Sequence, residues 1–100
     1  MAAAFRLTRD AQQDLTAIRR YTVQQWGQEQ SRKYLEGMQS TIRLLAEFPA
    51  QGLARQDVDG GVFSFPYGSH MLYYRLEKNQ LVVFAVLHQR MTPAGHLKGR

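Results

Sequence analysis

Hydrophobic and polar positions change their period twice along the chain, and these changes predict its secondary structure. Residues 5–7 alternate apolar, basic and apolar, which predicts a short edge strand. Helical spacing follows, with Thr8 as the N-cap and Gly27 as the residue that ends the helix. A second helix ends at Pro49. Its apolar stripe comprises Tyr34, Leu35, Met38, Ile42, Leu45 and Phe48. The two segments predict a helical hairpin.

Beyond the hairpin, glycines and aspartates accumulate over residues 50–61, which predicts a loop. Three strands are predicted at residues 62–65, 71–77 and 81–87, with a turn at residues 66–69. Lys78-Asn79 predicts a tight hairpin, because Asn tolerates positive φ. Thr92-Pro93 predicts a short C-terminal helical turn that runs through Leu97. The pattern predicts one α+β domain over residues 1–100, with a three-stranded antiparallel meander after the hairpin.

A two-residue turn at Lys78-Asn79 also predicts which side chains share a face of the sheet. The face toward the helices would pair Leu76 with Leu81, Tyr74 with Val83, and Leu72 with Ala85. The opposite face would pair Arg75 with Val82, Tyr73 with Phe84, Met71 with Val86, and Ser69 with His88. A loop longer by one residue would exchange the two faces.

The opposite face of the predicted sheet is too apolar to be left bare, and two interpretations of it stay open. In one, a partner segment fills apolar pockets there while arginines bind its carboxylates. In the other, the C-terminal turn folds back and covers the face through Leu97. The candidate partner-binding residues are Met71, Tyr73, Arg75, Phe84, Val86, His88, Arg90 and Trp26. For Trp26, packing against the second helix is the favoured alternative.

Composition narrows the class of protein. The 100 residues are 44% hydrophobic and carry a net charge of +5, from ten arginines and three lysines against eight acids. Arginine forks suit phosphates and carboxylates, so an acidic or polyanionic partner is expected. Without cysteine, the chain has no disulfide, no thiolate metal ligand and no Cys nucleophile. The first four residues lack the pattern of a secretory signal, and no segment is apolar enough for a membrane span, which predicts a cytoplasmic protein.

Three stretches carry a resemblance to a known family. They are "LTRDAQQDLTAIRRYTVQQWGQEQSRKYLEGM", "LAEFPAQG" and "SHMLYYRLEKNQLVVFAVLHQRMTPAGHL". In this order they resemble the ParE toxins of type II toxin–antitoxin modules, in the ParE/RelE superfamily. The resemblance implies a non-catalytic toxin that inhibits DNA gyrase. It also implies a complex with a ParD-like antitoxin whose acidic C-terminal segment neutralises the toxin, with no sequence-specific binding of nucleic acid by the toxin.

The alternative function is a ribosome-dependent RelE-type messenger-RNA nuclease, which needs a general base, a general acid and cations around the phosphate. His88, Tyr73, Arg75 and Arg90 are the residues that this reading nominates. Residues 91–95, which follow Arg90, offer none of the basic residues of the RelE type, so the docking function is favoured. A third hypothesis is a module that binds an antitoxin without being toxic.

Single residues leave further alternatives open. A histidine that ends an apolar strand, as His88 does, more often caps the sheet through a hydrogen bond than it transfers protons. His70 and His96 show no ligand spacing with it, so no metal and no cofactor is predicted. Arg90 could bind an acidic partner or the carbonyl groups of the C-terminal turn.

Overall fold

The computed structural model describes residues 4–100, and its elements follow the predicted order. β1 (Phe5–Leu7) leads into α1 (Arg9–Trp26) and α2 (Gln28–Glu47). A 3₁₀ turn (Pro49–Gln51) then precedes β2 (Leu53–Ala54), β3 (Phe63–Tyr67), β4 (His70–Glu77), β5 (Gln80–His88) and α3 (Pro93–His96). The expectation that the first four residues lack the pattern of a secretory signal falls largely on residues 1–3, which lie outside the described residues.

The helical hairpin forms at the predicted residues. Thr8 Oγ1 accepts a hydrogen bond from the Ala11 N–H at 3.2 Å, so α1 begins with the predicted cap. Gly27 separates the helices with a φ of 89°, a backbone conformation that favours glycine. Behind this turn, the hydroxyl groups of Thr22 and Ser31 lie 2.7 Å apart and are buried. These small, mutually bonded side chains let the helices approach closely without leaving a buried polar group unsatisfied.

The five strands form one sheet in the order β1-β5-β4-β3-β2. β1 pairs with β5 in parallel, and the other pairs are antiparallel. β5 therefore lies between β1 and β4, and every residue from 81 to 87 is buried. A strand that is apolar on both faces needs cover on both faces, and the rest of the fold supplies it.

Two details of the sheet differ from the sequence prediction. The expected loop over residues 50–61 contains the short edge strand β2, which pairs with residues 63 and 64 of β3. β3 also extends through Pro66 and Tyr67, which were expected in a turn. Proline fits there because β2 ends before it, so Pro66 has a strand neighbour on the β4 side alone. At the other end of the chain, α3 begins at Pro93 without the predicted Thr92 side-chain cap.

The register of the β4–β5 hairpin is confirmed near its turn and wrong beyond it. Lys78 and Asn79 form the turn with φ of 49° and 64°, and residues 76, 75 and 74 pair with 81, 82 and 83 as predicted. A bulge then leaves Phe84 without a partner, so that Tyr73 lies opposite Ala85. The predicted pairs Leu72 with Ala85, Tyr73 with Phe84, Met71 with Val86, and Ser69 with His88 are therefore wrong.

The bulge decides which side chains face the helices. Because β5 has one extra residue, Phe84 and Ala85 both lie on the far face, and Val86 returns to the helix side. Placing Val86 on the far face was therefore wrong. The core under the helices comprises Ala11, Ile18, Met38, Ile42, Leu45, Leu72, Tyr74, Leu81, Val83 and Val86.

Tyrosine hydroxyl groups attach α2 and the segment after it to the sheet. The Tyr67 hydroxyl donates to the Tyr34 carbonyl at 2.8 Å, and the Tyr74 hydroxyl donates to the Pro49 carbonyl at 2.6 Å. The Tyr74 ring is fully buried and lies against the backbone of Gly52. A side chain at position 52 would occupy the space of that ring.

We expect Gly52→Ala to destabilise the protein and Gly60→Ala to leave it nearly unchanged. A Cβ at position 52 would lie 2.0 Å from the Tyr74 hydroxyl oxygen, whereas a Cβ at position 60 has no atom within 4 Å. Overpacking of this kind costs about 1–3 kcal/mol. Thermal unfolding followed by circular dichroism measures both variants, and equal midpoints would contradict the packing argument.

Candidate functional site

The far face of the sheet is covered by the chain itself. Leu97 of the C-terminal turn and Val62 of the loop before β3 are buried in one cluster with Tyr73, Phe84, Ala85 and Leu87. The Arg55 guanidinium lies 5.6 Å from the centre of the Tyr73 ring, and that of Arg75 lies 5.0 Å from the Phe84 ring. Of the two interpretations of this face, the structure agrees with cover by the C-terminal turn through Leu97, because Tyr73 and Phe84 are 3% and 4% exposed. The interpretation of this face as an open surface for a partner segment is wrong.

The open concavity lies elsewhere, between α1 and the C-terminal half of β5. This feature, the α1–β5 groove, has a volume of about 570 Å³. One wall is formed by α1 and the other by the last residues of β5, and residues 91, 96 and 100 close its ends. It is lined by Asp14, Ala17, Ile18, Tyr21, Thr22, Gln25, Trp26, Ser69, His70, Val86, Leu87, His88, Met91, His96 and Arg100.

The groove exists because β1 is shorter than β5. Pairing between them ends at Leu7 and Val83, so the rest of β5 has no strand neighbour on that side. Asp14 fills part of the gap, since its Oδ2 accepts a hydrogen bond from the Val86 N–H at 3.0 Å. The same carboxylate binds the Arg100 guanidinium at 2.5 and 3.1 Å. One carboxylate thus joins α1, the edge of β5 and the C-terminal segment.

Large apolar side chains are exposed along this groove. Tyr21 is 57% exposed, Trp26 40% and Met91 43%, and all three line it. The Trp26 ring also packs edge-on against Tyr34, with 5.3 Å between the ring centres, so its predicted packing against α2 is present. Exposed apolar side chains gathered in one concave site are typical of a surface that binds a partner.

A chain of polar rings lies at the end of the groove near β4, with His70 buried and Tyr34 and His88 half-buried. The Tyr34 hydroxyl lies 2.7 Å from His70 Nδ1, and the His70 ring stands edge-on to His88 with 5.6 Å between centres. His88 Nδ1 accepts a hydrogen bond from the Arg90 N–H at 3.1 Å, which leaves the proton of a neutral His88 on Nε2. Burial first, and the neighbouring His88 second, lower the pKa of His70 below its ordinary value.

The structure brings together some of the predicted site residues. Trp26, Val86 and His88 line the groove, and Arg90 lies exposed beside Met91. Within residues 4–100, the Arg90 guanidinium makes no hydrogen bond to the carbonyl groups of the C-terminal turn. The other four predicted residues, Met71, Tyr73, Arg75 and Phe84, belong to the far face.

Sequence reasoning missed several residues that form the groove. Ile18, Tyr21, Asp14 and Arg100 were not among the candidate residues. A signal was present in α1, because positions 14, 17, 18, 21 and 25 recur at helical spacing beside the core stripe. Arg100 carried no such signal, since 86 residues separate it from Asp14 along the chain.

Residues 4–100 offer neither a group of metal ligands nor a helix suited to a membrane. Among residues 4–100, no three His, Cys, Asp or Glu side chains form a group that could hold a metal ion. No helix in this part of the chain combines the length and the apolar character that crossing a membrane requires.

We expect the stability of the protein to fall as the pH drops below about 6.5, the ordinary pKa of histidine. Because the pKa of His70 is lower in the folded protein, the unfolded chain binds the proton first. The stabilisation is therefore complete above that pH and is lost as the pH falls toward the folded-state value. Thermal midpoints from about pH 7.5 to about pH 5 measure this loss.

His70→Gln should reduce the pH dependence of the midpoint, whereas His96→Gln, at an exposed position, should preserve it. If His70→Gln retains the whole dependence, another group is responsible.

The chain was compared with known families and structures. The family described as "ParE toxin of type II toxin-antitoxin system, parDE" matches residues 5–93. Toxin ParE1 of Caulobacter vibrioides is 37% identical over 93 residues, which are 93% of this chain and 96% of that protein. Toxin ParE1 of Mycobacterium tuberculosis is 35% identical over 92 residues, covering 91% of this chain and 94% of its own length.

Two solved structures share the fold. The structure titled "Chromosomal ParDE TA system from P. aeruginosa" has a TM-score of 0.75 at 20% identity. The match covers 87% of this chain and 96% of the chain in that structure. The toxin–antitoxin complex RelBE2 from Mycobacterium tuberculosis has a TM-score of 0.60 at 20% identity. That match covers 89% of this chain and 100% of the chain in that structure. From the family match and the identity to its relatives over nearly the whole chain, this protein belongs to the ParE toxin family of type II toxin–antitoxin systems.

Proposed function

We propose that this toxin inhibits DNA gyrase and is held inactive by an acidic segment of a ParD-like antitoxin that binds in the α1–β5 groove. The observation that carries the antitoxin part is the groove itself, where exposed Tyr21, Trp26 and Met91 surround an open stretch of strand edge. The two similar structures are described as toxin–antitoxin systems, which supports a partner of this kind.

The chemistry of the groove matches an amphipathic acidic segment. Apolar side chains of the partner would pack on the aromatic rings of the groove. Aromatic residues are among those that most often contribute the largest part of the binding free energy of an interface. Its carboxylates would meet Arg90, which is exposed and follows the groove residue His88 by two positions. The net charge of +5 would attract an acidic chain over a longer range.

The placement of the four nuclease candidates supports docking over RNA cleavage. His88 lies opposite His70, whereas Arg75 lies five residues further along β4, about 17 Å away. Arg75 also binds Glu77 and covers Phe84, and Tyr73 is buried beneath Arg55. General acid–base cleavage needs these groups around one phosphate, and they lie apart on two different surfaces.

We expect the purified toxin to inhibit supercoiling by DNA gyrase and to accumulate cleaved DNA. Relaxed plasmid, gyrase and ATP with increasing toxin measure both effects on an agarose gel. Addition of the antitoxin encoded in the adjacent reading frame should restore supercoiling, because the antitoxin would bind the toxin in the α1–β5 groove and hold it inactive.

Unimpaired supercoiling at excess toxin would remove gyrase as the target. Codon-phased cuts in messenger RNA during expression would then favour the nuclease. Normal growth of cells that express the toxin alone would instead favour a module that binds its antitoxin without toxicity.

We expect Tyr21→Ser and Arg90→Ala to weaken antitoxin binding by about tenfold or more each, because they remove an apolar anchor from the groove and a cation from beside it. Titration calorimetry with the adjacent-frame antitoxin gives the affinities. Both residues are exposed, so the thermal midpoint should change little.

Leu53→Ser is the matched control for the apolar substitution. Leu53 is also a large exposed side chain, but it belongs to the edge strand β2, outside the groove. Equal losses for Tyr21→Ser and Leu53→Ser would contradict the groove as the antitoxin site. Unchanged affinity with a lower thermal midpoint would make Arg90 a structural residue.

A further inference from the structure

We propose that the solvent-facing side of α1 binds the phosphate backbone of duplex DNA. This basic face comprises Arg9, Gln13, Thr16, Arg19, Arg20 and Gln24. It lies on the side of α1 away from the core stripe, and it is distinct from the α1–β5 groove. The proposal concerns the toxin itself and does not require gyrase to be its target.

Helical spacing places the cationic and polar side chains in one row. Arg9, Gln13, Thr16 and Arg20 follow each other at three- and four-residue steps, and all are exposed. Eleven residues separate Arg9 from Arg20, which places them about 16 Å apart along the helix axis on nearly the same side. Arg19 extends the row toward α2. The row is therefore long enough to contact several phosphates of one duplex.

The acidic residues of α1 lie on its other side. Asp14 binds Arg100 in the groove, and the charge of Asp10 contributes to raising the pKa of Arg100, so both carboxylates belong to that side. Among residues 4–100, none of the ion pairs involves Arg9, Arg19 or Arg20. The positive charge of the basic face is therefore not compensated within the described protein.

The charge on α2 is arranged differently. Arg32 binds both Glu29 and Glu36, at 2.5 Å each, so its guanidinium is already neutralised by its own helix. Lys33 and Arg43 are exposed but share their helix with these acids and with Glu47. The two exposed helices thus offer a natural comparison between a cationic face and a mixed one.

The composition of the basic face favours a nucleic acid over an acidic protein segment. Its exposed side chains are arginine, glutamine and threonine, which donate hydrogen bonds to phosphate oxygens. It has no exposed aromatic or aliphatic anchor of the kind that the α1–β5 groove provides for a peptide. An exposed helix also fits the major groove of B-form DNA, about 12 Å wide, whereas the major groove of A-form RNA is too narrow.

Fluorescence anisotropy of a labelled duplex of arbitrary sequence, about 30 base pairs long, tests the proposal at about 50–200 mM salt. The full-length toxin should bind the duplex, with an affinity that falls steeply as salt rises. Arg9→Gln, Arg19→Gln and Arg20→Gln combined should weaken binding by about tenfold or more at low salt. The slope of log affinity against log salt should become shallower by about 2.7, since each lost phosphate contact contributes about 0.9.

A second triple variant, Lys33→Gln, Arg43→Gln and Lys78→Gln, removes the same net charge from exposed positions outside the face. This variant should retain the wild-type slope of log affinity against log salt. Its affinity should fall by less than about threefold, because it weakens only the overall electrostatic attraction of the protein for DNA. Glutamine has nearly the helix propensity of arginine and lysine, so the substitutions in α1 and α2 should keep the wild-type thermal midpoint. Lys78→Gln exchanges one exposed, unbranched side chain for another in the hairpin turn, so its effect on the midpoint should also be small.

Four results would overturn the proposal. The wild-type toxin could fail to bind the duplex at low salt, or the two triple variants could lose affinity equally. A fluorescent polyglutamate peptide could instead depend on the three arginines while the duplex does not, which would assign the face to an acidic protein. Tighter binding of an RNA duplex of the same length would contradict the choice of DNA. None of these measurements contains gyrase or antitoxin, so their failure is separate from that of the proposed target.

Discussion

Burial of β5 on both faces of the sheet is the constraint around which the protein is organised. Seven consecutive residues, 81–87, are withdrawn from water, and apolar burial is the main favourable term in folding. The helical hairpin covers one face, and the loop before β3 and the C-terminal turn cover the other. Because both faces of β5 are covered, the open groove lies at the edge of this strand.

The edge of β5 becomes available for function because two local features coincide. β1 ends at Leu7, and the bulge at Phe84 turns Val86 back toward α1 just where strand pairing stops. Asp14 satisfies the Val86 N–H, so the gap between α1 and β5 stays open without an unpaired donor. The groove is thus a consequence of unequal strand lengths, and aromatic residues of α1 line it because the helix lies alongside that edge.

Charge on α1 is divided between its two exposed sides. Asp10 and Asp14 lie on the groove side, where Arg100 is bound. Within residues 4–100, Arg9, Arg19 and Arg20 on the opposite side have no acidic partner. Arg100 therefore contributes to stability, while Arg9, Arg19 and Arg20 contribute to the long-range field. The two exposed sides of α1 therefore differ in chemistry, since one is lined by aromatic side chains and the other by arginines.

The sequence by itself determined the family, the α+β class, the helical hairpin with its Thr8 cap and Gly27 turn, and the Lys78-Asn79 hairpin. These depend on local spacing and backbone conformation, which neighbouring residues control. The position of the open groove was decided by the tertiary structure alone. A single bulge moved Val86 to the helix side, Leu97 folded onto Tyr73 and Phe84, and Arg100 joined Asp14. Such contacts join residues far apart in the chain, and no local pattern encodes which of two faces the chain's own end will cover.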